Sequence, residues 1–172
     1  MKIRLPLAVI TALAAAATYL AATVSPANAI VTRHFLLFNV GLQKCAVQNG
    51  TLDQLYLTTC PDASRTDINH SALWIQNTFG QIVNMHSDDC MIVTGQTPGS
   101  GVWLTTPTAA GSGKCGDVTV DEWSFGSEGP DFQFTNDHSH LYMTGNASGG
   151  LTQDTQGNAN QFWSELPTNS AN

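Results

Sequence analysis

Phe134-Thr135-Asn136, Tyr142 six residues after the asparagine, and a closing Gln161-Phe162-Trp163 form the third pass of a pattern that the chain runs through three times. The first pass has Leu37 two before Asn39, then Cys45, and ends on Ala72-Leu73-Trp74. The second has Ile82 two before Asn84, then Cys90, and ends on Asp121-Glu122-Trp123. Between these landmarks the offsets also agree. Leu55 and Leu57 precede Cys60 by five and three residues, Val102 and Leu104 precede Pro107, and Leu151 and Gln153 precede Gln156 in the same way. Three units result: Phe35–Trp74, Gln81–Trp123 and Phe132–Trp163. A fixed internal period means that each unit buries its apolar face only against its neighbours.

Within the units, runs such as Leu55-Tyr56-Leu57, Val102-Trp103-Leu104 and Phe132-Gln133-Phe134 alternate with period two and read as strands. Turn clusters separate them: Asn49-Gly50, Thr97-Pro98-Gly99-Ser100-Gly101, Ala110-Gly111-Ser112-Gly113 and Ser148-Gly149-Gly150. No segment beyond residue 29 keeps an apolar stripe of period 3.6 for three turns, so almost no helix is predicted. The prediction is an all-β barrel with pseudo-threefold symmetry, its repeated apolar residues and tryptophans meeting in one core.

Outside the repeat, Lys2 and Arg4 open the chain, an apolar run follows from Leu5 to Val24, and Pro26 leads to Ala27-Asn28-Ala29. That order predicts a signal peptide over residues 1–29, cleaved after Ala29, and a secreted product. The alternative is an uncleaved anchor, because the run approaches the roughly 20 residues that span a bilayer. The domain is expected over residues 30–166, with a polar, frayed tail over 167–172. After Ala29, four basic residues (Arg33, Lys44, Arg65 and Lys114) face thirteen acidic ones, a net charge of −9. Such a surface repels phosphate backbones and anionic bilayers, so neither nucleic acid nor a membrane is an expected partner of the mature chain. Cys45, Cys60, Cys90 and Cys115, an even count behind an export signal, predict two disulfides, and no C-x-x-C spacing supports zinc.

Taken together, the early cysteine, the later cysteine and the Q-x-W ending resemble the ricin-type β-trefoil lectin family over nearly the whole mature chain. Gln161-Phe162-Trp163 matches the ending outright, whereas Asp121 and Ala72 replace the glutamine in the other units. The resemblance implies twelve strands, a six-stranded barrel capped by hairpins, and a Cys45–Cys60 bridge. Cys115 lies eight residues beyond the expected position, Pro107, and is paired with Cys90 once Cys45 and Cys60 account for each other. Tyr142 and Gln156 replace both cysteines of the third unit.

The same resemblance implies non-catalytic carbohydrate binding, through four positions per unit. These are an acid two after the first cysteine, an aromatic two before the second, and an Asn and a Gln three and two before the tryptophan. The first unit has Val47, Thr58, Ser71 and Ala72 there, and the second has Ile92, Thr105, Val120 and Asp121. Neither set stacks on a sugar and reads its hydroxyls, unless Trp103 and Asp121 build a different site. The third has Thr144, Asp154, Asn160 and Gln161, with Asn146 or Asp154 as replacement acceptor and Tyr142 as a ring face. The expected site is therefore Tyr142, Thr144, Asn146, Asp154, Asn160 and Gln161. The alternative is that Asn160 and Gln161 serve only the fold, by hydrogen bonding nearby backbone.

Because a scaffold outlives its site, a second function class stands beside the first. It is a protein-binding adaptor or inhibitor in a secreted complex, using loops Pro61–Ser71, Thr106–Lys114 or Ser124–Asp131, or adding Ile30–Phe35 as a strand to its partner. An enzyme is not expected, and no cofactor is implied. Asp137-His138-Ser139-His140 lacks a third metal ligand at fixed spacing. The carboxylate neighbours Asp88-Asp89 and Asp121-Glu122 point to opposite faces if they lie in strands. Asn49, Asn69 and Asn146 open N-x-S/T patterns, used only where the source glycosylates exported proteins.

Overall fold

The computed structural model describes residues 33–50, 54–77, 79–105, 115, 121–128 and 131–169. The expected leader, the cleavage point after Ala29 and the loop Thr106–Lys114 lie outside the described residues. Among the described residues there are twelve strands: β1 (Phe35–Asn39), β2 (Lys44–Gln48), β3 (Leu55–Thr58), β4 (Trp74–Gln76), β5 (Ile82–Asn84), β6 (Cys90–Val93), β7 (Val102–Thr105), β8 (Trp123–Glu128), β9 (Asp131–Asn136), β10 (Tyr142–Gly145), β11 (Leu151–Asp154) and β12 (Trp163–Pro167). Helix among the described residues is limited to single 3₁₀ turns such as His70–Ala72 and Ala159–Gln161.

Six of these strands close a ring. β12 pairs with β1, β1 with β4, β4 with β5, β8 with β9, and β9 with β12. The bridge Gln81↔Glu122 joins the β5 side to the β8 side and completes the circuit. The other six form the hairpins β2–β3, β6–β7 and β10–β11. Three bridges tie the hairpins cyclically: Gln54↔Trp103, Gly101↔Thr152 and Tyr56↔Gly150. This is the β-trefoil, with each repeat of the sequence supplying four strands.

The repeat landmarks are what hold the threefold arrangement. Trp74, Trp123 and Trp163 are buried, and their indole N–H groups donate to the carbonyls of Ala46, Met91 and Met143 at 2.9, 3.1 and 3.0 Å. Each acceptor directly follows Cys45, Cys90 or Tyr142, so each ring ties the end of its own unit back to that unit's hairpin. The indoles share one apolar core with Phe35, Leu37, Ile82, Phe134, Met91 and Met143, drawn from all three units. Aromatic area on this scale dominates core energetics.

Asn39, Asn84 and Asn136 are equally buried and work between units. Asn39 donates to Asn160 O at 2.7 Å, Asn84 to Ser71 O at 3.0 Å, and Asn136 to Glu122 O at 3.2 Å. Each acceptor lies in the closing segment of the preceding unit around the ring. The same side chains accept from Leu42 N, His86 N and His138 N, which fixes the turn into each hairpin. Four residues after each asparagine the backbone turns left-handed, at Gln43, Asp88 and His140 (φ 55°, 62° and 57°). A non-glycine residue adopts this region at a cost, so three equivalent occurrences mark a turn imposed by the fold.

Both disulfides form as paired from the sequence: Cys45–Cys60 with Cα atoms 4.9 Å apart, and Cys90–Cys115 at 5.6 Å. Each sits in a small apolar cluster outside the barrel, the first with Leu36, Val47, Ile68 and Leu73, the second with Val83.

Three expectations need correction. Ser124–Asp131 is not a loop: Ser124 to Glu128 belong to β8 and Asp131 starts β9, because Phe125 packs edge-on against Phe132 and at a tilt against Phe134 across the hairpin. The tail does not fray from residue 167. Pro167 pairs with Phe35, Thr168 N donates to His34 O at 3.2 Å, and Asn169 N donates to Ala63 O at 3.4 Å. Phe35, expected to be available to a partner, is already paired on both sides, with β12 and β4.

Candidate functional site

The third hairpin gathers half of the expected site on one face. Tyr142 stands opposite Asp154 in the β10–β11 register, and Thr144 stands opposite Thr152. Residues two apart share a face of a strand, and directly opposed residues hold their Cβ atoms about 4.5–5.5 Å apart. Tyr142, Thr152 and Asp154, all partly exposed, therefore form the outward patch, with Thr144 buried on the same side, while Met143 and Leu151 point into the core. Tyr142 and Asp154 are half-buried, and Asp154 accepts a 2.8 Å hydrogen bond from Thr155 N.

Gln161 lies beneath this patch, fully buried, and all its amide capacity is engaged. Nε2 donates to Thr144 Oγ1 at 3.1 Å and to Thr155 O at 2.6 Å. Oε1 accepts from Gly157 N at 3.0 Å and Asn158 N at 3.1 Å. The Thr144 hydroxyl in turn donates to Tyr142 O at 3.0 Å. Gln161 thus supports the patch from below and fixes the segment 155–161, as the fold-serving alternative anticipates.

The remaining two residues stand apart from the patch. Asn146 holds the β10–β11 turn, its Oδ1 accepting from Gly150 N at 3.0 Å and Ser148 Oγ at 2.5 Å. Asn160 backs onto the first unit: its carbonyl accepts from Asn39, and a Cβ on Gly41 would lie 2.5 Å from its Oδ1. Gly41 is glycine because these turns approach that closely.

In the other units the equivalent hairpin faces are apolar at the acid position. Val47 opposes Tyr56, and Ile92 opposes Trp103. Asp121 does not join Trp103 in a surface site. It is buried and accepts from Gln81 Nε2 at 3.2 Å, and Gln81 Oε1 accepts from Asn77 at 2.6 Å. In the Asp88-Asp89 pair, Asp88 is exposed and Asp89 buried. His138 contacts Gln96, and His140 occupies its left-handed turn exposed to solvent. Among the described residues, no three His, Cys, Asp or Glu side chains cluster closely enough to hold a metal ion.

Glu165, a carboxylate outside the patch, has its equilibrium shifted upward. Glu165 of β12 opposes Leu37 and lies two residues past Trp163 on the same strand face. Desolvation by burial raises its pKa above the ordinary 4.5.

No family model matches the chain. No curated protein matches it in sequence. Solved structures do match. An exo-β-1,3-galactanase from Clostridium thermocellum superposes with a TM-score of 0.64 at 18% identity, over 79% of this chain and 30% of that one. The agglutinin from Abrus precatorius superposes with a TM-score of 0.59 at 17% identity, over 77% of this chain and 48% of that one. SeviL, solved with an asialo-GM1 saccharide, gives 0.58 at 13% identity, over 78% of this chain and 97% of that one. The chain thus spans nearly all of SeviL, about half of the agglutinin and under a third of the galactanase. These likenesses establish the β-trefoil fold.

Proposed function

We propose that the protein is an exported, non-catalytic carbohydrate-binding module that works outside the cell. The observation that carries this reading is the outward face of the third hairpin, where Tyr142 and Asp154 stand opposite each other, both partly exposed, with Thr144 buried on the same strand face over the Gln161-anchored segment. A ring offers a face to the C–H side of a sugar, and a carboxylate beside it accepts from hydroxyls. The trefoil of SeviL, present there as nearly the whole chain, was solved with a saccharide, which supports the same use of the scaffold here. The two disulfides suit an oxidising compartment, and no helix among the described residues is long and apolar enough to cross a membrane.

A glycan array probed with the exported protein tests this. Retention on neutral glycans is expected, with loss in Tyr142→Ala and Asp154→Asn at an unchanged unfolding midpoint. Failure of the wild-type protein to bind any glycan rejects the reading. Mass spectrometry of the exported product should find Ile30 as its first residue.

A second reading, binding to a secreted protein, draws on the turns between barrel strands. Phe79 is 71% exposed in the β4–β5 turn, and Phe125 of the β8–β9 hairpin is 41% exposed. Stable co-purification with another exported protein, lost in Phe79→Ser, would favour it over the glycan reading.

A further inference from the structure

Of the four tryptophans, three are buried in the core and one, Trp103, is 40% exposed. It lies on β7, on the outward hairpin face that also contains the position of Thr105. Thr105 is where the resembled lectins would carry their stacking aromatic. Trp103 and the position of Thr105 are two residues apart on β7 and so share a strand face.

The surroundings of Trp103 make it a fixed platform. Its pyrrole edge lies across Gly101, so closely that a Cβ there would collide with the indole. The backbone under it is held on both sides. Gly101 O accepts from Thr94 N at 3.0 Å and Thr94 Oγ1 at 3.1 Å, while Ser100 O accepts from Gln153 N at 2.9 Å. Across the inter-hairpin bridge its partner is Gln54, whose side chain is exposed. Paired residues of an antiparallel bridge share a face, so the exposed Gln54 side chain starts from the same side of the sheet as the indole. Neither equivalent position offers this pair. Tyr56 is bridged to Gly150, which has no side chain, and Thr152 has no ring.

We propose that Trp103 and Gln54 form a second carbohydrate subsite, at the junction of the first and second hairpins. It takes a neutral pyranose stacked by its C–H face on the indole, with the Gln54 amide reading adjacent hydroxyls. A ring already held by Gly101 loses little freedom on binding, and the acidic surface of the chain selects neutral over anionic sugars. The inference rests on the carbohydrate-binding reading and deepens it.

Tryptophan fluorescence tests the subsite directly, because the other three indoles are shielded. The full exported protein is titrated with lactose, cellotriose, xylotriose and chitobiose, and its retention on the same immobilised sugars is measured. At least one sugar is expected to shift the emission to the blue and to protect it from acrylamide. Trp103→Ala should remove that response and weaken retention about tenfold, and Gln54→Ala should weaken it several-fold, at wild-type unfolding midpoints. Retention unchanged in Trp103→Ala but lost in Tyr142→Ala overturns this subsite and leaves the carbohydrate-binding reading standing. No response and no retention with any of the four sugars overturns both.

Discussion

Gln161 Nε2 donates to Thr144 Oγ1 at 3.1 Å, which joins the last turn before Trp163 to the middle of β10. The bond is buried and belongs to a set of four in which every amide valence of Gln161 is used. Replacing the side chain with alanine strands two backbone N–H groups and one carbonyl.

Gln161→Ala should therefore cost about 2–4 kcal/mol of stability, measured by urea unfolding, because each buried polar group left unpaired costs about 1–3 kcal/mol. A loss of glycan retention with no change in midpoint would instead show that Gln161 touches ligand.

Threefold equivalence of the indoles makes a second prediction. Trp74→Phe, Trp123→Phe and Trp163→Phe each remove one N–H bond to a buried carbonyl and some ring volume. Each should lower stability by about 1–3 kcal/mol. A neutral result at any one position would break the equivalence of the three units.

The disulfides close separations of 15 and 25 residues. By chain-entropy estimates each contributes about 3 kcal/mol. Cys45→Ala/Cys60→Ala and Cys90→Ala/Cys115→Ala should each reduce the urea midpoint, with additive losses, since the bridges lie in separate clusters. A double-pair variant as stable as wild type would remove the bridges from the account of stability.

Glu165 sets one pH dependence. Its folded-state pKa is raised by desolvation above 4.5, so the native state holds a proton over a range where the unfolded chain has released it. Stability from this group is present below pH 4.5 and falls as pH rises through the folded value. Glu165→Gln should stabilise the protein at neutral pH and leave it unchanged in acid. Equal effects at both pH values would show that the charge is not the cause.

How far the sequence reaches differs from residue to residue. Asn39, Asn84 and Asn136 are visible as landmarks, yet their function as stitches to the preceding unit is not, since their acceptors lie 121, 13 and 14 residues away. The alternation at Val102-Trp103-Leu104 places Trp103 opposite its neighbours, but only its bridge to Gln54 puts an amide side chain on the same side of the sheet. Ser124–Asp131 reads as an acidic, glycine-bearing loop because local composition does not reveal that Phe125 has Phe132 and Phe134 to pack against.

The sequence alone determined that three like units fold into an all-β barrel, and with the family resemblance it determined which cysteines pair. Period-two alternation and repeated spacing are local properties, and a chain repeating them buries each unit against the next. Tertiary structure alone decided which of six proposed site residues share a surface, that Gln161 is committed to the interior, and that one tryptophan of four meets solvent. Burial and the allotment of hydrogen bonds depend on groups distant in the chain, and those distances close only when the ring of strands does.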